Sequence, residues 1–175
     1  MSKKCLIVID YQVDFVTGSL GFNEARQLED KLEVLINKKR LESYDIIYTY
    51  DTHFKDTYFD TIEAKNLPIL HTVKGTPGFE LYGKIKKTRK KEDVIFEKET
   101  FGSIELGKYI LDNNYLEIEI VGVVTNICVL SNATIIRSFC KNALISVLKD
   151  YCASNDLLLH EKALDVLKSI SVNVI

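Results

Sequence analysis

Asp10, Lys98 and Cys128 each stand at or just beyond the end of a short apolar run, and together they could perform acyl-transfer chemistry. Cys128 is the most informative. The run Ile118-Glu119-Ile120-Val121-Gly122-Val123-Val124 gives way through Thr125-Asn126-Ile127 to a helical pattern, Val129 to Cys140. A thiol on such a strand-to-helix elbow lies at the positive end of a helix among backbone N–H donors, an arrangement that favours thiolate and oxyanion together. Asp10 could take the thiol proton and later deliver it to a leaving amine. Lys98 could hold that carboxylate ionised and oppose developing negative charge. Attack on an amide carbonyl would then give a tetrahedral oxyanion, ammonia or amine departure, and a thioester for water to hydrolyse. Taken singly, each residue has a plainer reading: Asp10 as an Asx turn or helix cap, Lys98 as a surface charge, and Cys128 as a small core hydrophobe. That plainer reading suits Cys5, Cys140 and Cys152, which show no C-x-x-C spacing.

A second constellation is Asp51-Thr52-His53 with Glu63 and His71. Two imidazoles with one or two carboxylates suffice for one divalent ion, and an Asp-x-His step along extended chain lets both side chains reach it. Zinc leads, with iron and manganese left open by the ligand types. The remaining histidine, His160, falls in the last helical pattern and reads as structural.

These residues need a frame that brings strand ends together. Apolar runs at Cys5 to Asp10, Asp45 to Tyr50, Val94 to Glu97, Glu117 to Val124 and Ala143 to Leu148 predict strands, with a short one at Val172 to Ile175. Between them lie helical patterns: the stripe Leu28, Leu32, Leu35 and Ile36, then Ser103 to about Asp112, the elbow helix, and about Asn155 to Ser169 capped by Ser154 or Asn155. Strand and helix in alternation predict a three-layer α/β fold, a Rossmann-like, mostly parallel sheet with helices on both faces, whose ligands bind beyond the carboxyl ends of the strands. Asp10, Asp51, Lys98 and Cys128 all map to that edge. A polar stretch from about 51 to 93, holding both prolines, is too long for an ordinary connection and reads as a functional insertion.

Residues 1–175 thus read as one domain. With 46% hydrophobic and 27% charged residues, the chain can bury a core of ordinary size, and its net charge of −2 gives no basic footprint for nucleic acid. The lysine-rich segment Lys84 to Lys91 reads as a solvated loop. No run approaches a membrane span and no signal-peptide pattern opens the chain, so a cytoplasmic protein with free thiols is expected. Its partner is expected to be a small-molecule amide; homo-oligomerisation is left open.

Three segments resemble the isochorismatase-like cysteine hydrolases, and within them the nicotinamidases: Ile9-Asp10-Tyr11-Gln12-Val13-Asp14-Phe15, Lys98-Glu99-Thr100-Phe101-Gly102-Ser103, and Gly122-Val123-Val124-Thr125-Asn126-Ile127-Cys128-Val129. The resemblance implies Asp10, Lys98 and Cys128 as the catalytic triad. It further implies a cis peptide at Val123-Val124, an oxyanion hole from the N–H groups of Val124 and Cys128, and a pocket walled by Phe15, Leu67, Phe101 and Val123. Asp-x-His followed by His71-Thr72-Val73-Lys74-Gly75-Thr76-Pro77-Gly78 is similar to the metal-bearing nicotinamidase branch, with Asp51, His53 and His71 as ligands and Glu63 placed like an acidic ligand of some members. The implied reaction is hydrolysis of nicotinamide to nicotinate and ammonia in NAD salvage. Two departures bear on the substrate. Leu67 stands where an aromatic that sandwiches the pyridine ring is common, and Gly102-Ser103 stands where an alanine and an aromatic are frequent. Another small amide, ureido or carbamoyl substrate is the alternative within the family, and a non-catalytic small-ligand binder is the alternative outside catalysis.

Overall fold

The computed structural model describes residues 3–175. Six strands form one sheet in the order β3-β2-β1-β4-β5-β6. They are β1 (Lys3–Ile9), β2 (Asp45–Asp51), β3 (Val94–Lys98), β4 (Tyr115–Val123), β5 (Leu144–Ala153) and β6 (Asn173–Val174). Every pairing is parallel. The order reverses at β1, which lies between β2 and β4, so the cleft beyond the carboxyl ends of β1 and β4 is the topological switch point.

Both faces of the sheet are covered, which is why its strands read as nearly continuous apolar runs. Along β1, Cys5, Ile7 and Ile9 join one core cluster while Leu6 and Val8 join the other, the alternation that a pleated strand requires. The first cluster takes in Leu106 and Ile110 of α6 (Ile104–Asp112), Ala133 and Ile136 of α7 (Leu130–Phe139), and Leu164 and Leu167 of α8 (Leu157–Ser169). The second takes in Leu32, Leu35 and Ile36 of α3 (Glu29–Leu41) and Ile85 of α5 (Gly83–Thr88). Helix α3 carries Glu29 and Asp30 in its first turn and Lys38, Lys39 and Arg40 in its last, each sign on the side the helix dipole favours.

Several boundaries differ from the sequence reading. Segment 51–93 is not an irregular loop: it holds 3-10 turns at Tyr58–Asp60 and Pro77–Phe79, a short helix α4 (Ile62–Asn66), and α5. These are single turns or little more, too short to show a periodicity of their own. His53 bridges to Val73 and Gln12 to Leu81, folding the segment back over the sheet edge. Two short helices near the amino end, α1 (Val13–Val16) and α2 (Asn23–Arg26), escaped the reading for the same reason. Strand β5 runs on to Ala153, with an irregular pairing to β4 between Ile120 and Gly122. Helix α8 is capped by Asp156, not Ser154 or Asn155: the Asp156 side chain accepts from Leu159 N at 2.9 Å.

Candidate active site

Asp10 follows β1 with φ of 45°, in the left-handed region that aspartate tolerates better than most residues. Its side chain is wholly buried. Thr49 of β2 donates from Oγ1 to Asp10 Oδ1 at 2.6 Å, leaving Oδ2 for Lys98, whose Nζ lies 2.6 Å away. Lys98 is the last residue of β3, and strand register pairs it with Asp51, the last of β2. The same ammonium sits 3.2 Å from Asp51 Oδ1 and donates to Cys128 Sγ at 3.6 Å. One cation therefore touches the proposed nucleophile, the proposed base and a carboxylate of the second constellation.

The elbow is tighter in purpose and wider in turn than a plain helix start. Thr125–Val129 forms one π-helical turn, and regular α-helix begins only at Leu130, so the elbow helix starts later than its apolar pattern at Val129 suggests. The peptide bond Val123-Val124 is cis. Asn132, one turn past Cys128 and fully buried, donates to Cys128 O at 2.8 Å and to Phe101 O at 3.1 Å, and accepts from Ser103 N at 3.0 Å. The amide thereby ties the nucleophile turn to the segment after Lys98. On the other side Ser154 Oγ donates to Asn126 Oδ1 at 2.6 Å, and His160 Nδ1 lies 2.9 Å from Thr125 Oγ1. Thus His160, read as structural, braces the elbow. Thr49 and Asn132 were not singled out from sequence, since an isolated polar residue among apolar neighbours carries no spacing signal, and Ser154 was read only as a candidate helix cap.

Burial dominates the electrostatics. It pushes the Cys128 thiol well above its ordinary range; Lys98 opposes the shift, and Asp10 and Asp51 reinforce it. Burial thus works against the thiolate that the elbow is expected to favour, and Lys98 works for it. Burial also raises the Asp10 carboxyl, with Lys98 the chief opposing influence. For Asp51 burial works in the same direction, but Lys98 and the two imidazoles overcome it and hold that carboxyl well below the usual range. Lys98 keeps its proton against burial because Asp10, Cys128 and Asp51 surround it.

Asp51, His53 and His71 are buried, and one ligand atom from each lies within 4.8 Å of the others. Asp51 Oδ2 lies 3.1 Å from His53 Nε2 and 3.4 Å from His71 Nε2, and Glu63 Oε1 lies 3.7 Å and 3.6 Å from the same nitrogens. Four donors about 2.0–2.2 Å from one tetrahedral ion would stand about 3.3–3.6 Å apart, so the set needs little adjustment to close on a cation. Two observations strengthen the fit. His53 Nε2 is buried without a hydrogen-bond partner among the described residues. His71 Nδ1 is 2.7 Å from Ile69 O, which fixes the hydrogen on Nδ1 and leaves the Nε2 lone pair for a ligand bond. A cation would also offset the surplus of buried carboxylates over ammonium in this cluster.

A cavity of about 370 Å³ opens onto Cys128 and is lined by Asp51, Glu63 and His71 on one side and by Phe15, Leu67 and Phe101 on others. Val123 does not line it. That side chain is fully buried in the core, and Val124, beyond the cis bond, faces the cavity instead. Leu20, Phe22, Ile127 and Asn155 complete the wall. The first two lie on the connection after α1, whose path the sequence did not reveal.

A model of the Isochorismatase domain matches residues 4–175. An isochorismatase family protein of Bacillus subtilis strain 168, PncA, is 30% identical over 142 residues, covering 75% of this chain and 76% of that one. Among solved structures, the pyrazinamidase of Pyrococcus horikoshii in complex with zinc superposes with a TM-score of 0.86 at 26% identity, covering 99% of this chain and 98% of the other. The nicotinamidase/pyrazinamidase PncA of Bacillus subtilis gives 0.86 at 29% identity, with 98% of each chain covered.

Proposed function

The chain belongs to the isochorismatase family of hydrolases, and from that premise we propose that it hydrolyses nicotinamide to nicotinate and ammonia through a thioester on Cys128. The observation that carries this reading is the position of Lys98 Nζ, 2.6 Å from Asp10 Oδ2 and 3.6 Å from Cys128 Sγ. Nucleophile, base and charge stabiliser share one buried point at the switch point of the sheet.

Burial disfavours a free thiolate at Cys128, so attack is assisted by a base. Asp10 Oδ2 removes the proton as the Sγ–C bond forms at the carboxamide carbon, and its raised pKa brings it nearer the working range of a general base. The C=O electron pair moves onto oxygen, toward the N–H groups of Val124 and Cys128. Asp10 then gives its proton to the departing nitrogen, and C–N cleavage releases ammonia and leaves the thioester. Water attacks next: Asp10 takes its proton, the C–S bond breaks, nicotinate departs, and the proton returns to the Cys128 sulfur. Throughout, Lys98 stays charged and holds Asp10 in place.

Asp51, His53 and His71, with Glu63 at hand, would hold a divalent ion, zinc first, which as a Lewis acid would orient the pyridine ring through its nitrogen and withdraw electrons from it. The zinc complex of the Pyrococcus relative supports that choice. Phe15 packs edge-on to His71, with ring centroids 5.6 Å apart, and walls the same corner of the cavity.

The direct test is ammonia release from nicotinamide by the purified, metal-loaded protein. Activity is expected to vanish in Cys128→Ala and to fall by about 10²-fold or more in Asp10→Ala. Robust turnover by Cys128→Ala would overturn the mechanism.

A further inference from the structure

Leu67, Phe101 and Ile127, together with Glu63, line the reaction cavity and also a second cavity of about 380 Å³ on their far side. The second cavity continues outward to Ile62, which is 68% exposed. A simple pyridine amide is only a fragment, whereas a cavity of about 370 Å³ lies in the range that accepts larger ligands, and the second adds as much again. The partition between the two is made of apolar side chains that keep solvent exposure, 40% for Phe101 and 38% for Ile127, so ligand contact there would remove apolar surface from water.

The charges on these walls are one-sided. Asp51 and Glu63 are the acidic groups of the first cavity, and Glu63 and Glu99 those of the second, while neither is lined by a lysine or arginine. Lys98 is engaged below by Asp10 and Asp51. A substituent carboxylate carried past Leu67 would therefore be desolvated beside Glu99, on a wall without lysine or arginine, at a cost that an apolar group does not incur.

We propose that the second cavity is a substrate subsite, and that the enzyme favours uncharged aromatic carboxamides bearing an apolar ring substituent that crosses Leu67 toward Ile62 over those whose substituent ends in a carboxylate. This inference rests on the amidase reading above and names its substrate class. Leu67 is the specificity-determining residue: it lines both cavities, so a substituent reaching from one to the other must pass it, and a larger side chain would block that route.

The test compares nicotinamide, nicotinamides with a butyl chain at ring C5 or C6, and nicotinamides whose chain at the same carbon ends in a carboxylate, as substrates of the metal-loaded enzyme. The better butyl derivative is expected to show kcat/KM about tenfold above that of nicotinamide, from partial burial of its methylene groups. Its carboxylate-ended counterpart should fall about tenfold or more below it. Ile62→Asp, at an exposed first-turn position where aspartate suits the helix, should remove most of the butyl advantage, read as the butyl-to-nicotinamide ratio of kcat/KM. Leu67→Trp should lower the same ratio by about fivefold or more. Turnover of nicotinamide with no butyl advantage, or a butyl advantage that survives both substitutions, would overturn the subsite while leaving the amidase reading standing. A carboxylate-ended derivative turned over as well as its butyl counterpart would overturn the charge selection. If no pyridine amide is hydrolysed, the amidase reading fails and takes the subsite with it.

Discussion

Asp14 accepts the backbone N–H of Thr72 on Oδ2 at 2.7 Å, and Thr72 holds φ of 44°, a left-handed conformation that a β-branched residue rarely adopts. The geometry serves the neighbouring side chains. Thr72 directly follows His71, and its Oγ1 donates at 2.8 Å to Asp51 Oδ2, the oxygen that faces both imidazoles. Asp14 thus orients two members of the candidate metal set without being one of them. Gly78 is needed beside it, since a Cβ there would come 2.2 Å from the Asp14 carboxylate.

Asp14→Ala is therefore expected to weaken divalent-ion affinity by about 10- to 100-fold, the usual effect of removing an outer partner of a ligand. Competition titration of zinc against a chromophoric chelator reads this without reference to turnover. Affinity equal to the parent protein's would show that Asp14 does not organise the site.

The pH profile should identify Asp10. Only its carboxylate can accept a proton, and burial raises its pKa while Lys98 opposes the rise. Activity is then present above the folded pKa and lost as pH falls through it, so the acid limb of kcat/KM should lie above the ordinary carboxylate range. Lys98→Met removes the opposing charge and should move that limb to still higher pH, besides lowering the maximum by about 10²-fold. A limb that stays in place or moves down in Lys98→Met would mean that another group sets it.

How much of this was legible beforehand depends on whether a residue's task leaves a pattern. Strand-end residues such as Asp10, Lys98 and Cys128 could be placed because apolar runs predict strands, and a parallel sheet gathers their carboxyl ends on one edge. Asp51, His53 and His71 were legible from ligand type, and the resemblance sharpened both sets. The weight of burial against a thiolate was not legible, because a sequence does not display how fully Cys128 is desolvated. Val123 was placed in the pocket wall and Val124 lines it instead, since two adjacent valines at a strand end carry no signal for which one faces a cavity. The braces at Thr49, Asn132 and Ser154 were invisible because each depends on contacts with residues distant in sequence.

Asn132 offers a sharper test of one brace. Asn132→Asp keeps an oxygen for Ser103 N but loses both N–H donors, leaving Cys128 O and Phe101 O without that partner. The expected cost is about 1–3 kcal/mol of stability, read as a lowered unfolding midpoint, with KM for nicotinamide raised because Phe101 is released from its place in the cavity wall. Unchanged stability and KM would show that the segment after Lys98 is held by other contacts.

Gly122 tests the backbone beneath the elbow. It pairs with Ile9 in the β1–β4 ladder and has φ of 118°, outside the range that L side chains adopt comfortably. A Cβ there would also come 2.2 Å from Ile9 O, and a backbone atom at a strand crossing cannot swing away as a side chain does. Strain and clash act together, so Gly122→Ala should destabilise by more than about 3 kcal/mol, seen in urea unfolding as a large fall in midpoint. Because Ile9 precedes Asp10 and Gly122 precedes the Val123-Val124 bond, any separation of β1 from β4 also separates the base from the nucleophile. The folded fraction of Gly122→Ala should consequently lose kcat more than affinity for zinc, whose ligands lie on β2 and the segment beyond it. Parallel loss of both would place the damage in the whole sheet edge instead of the β1–β4 seam.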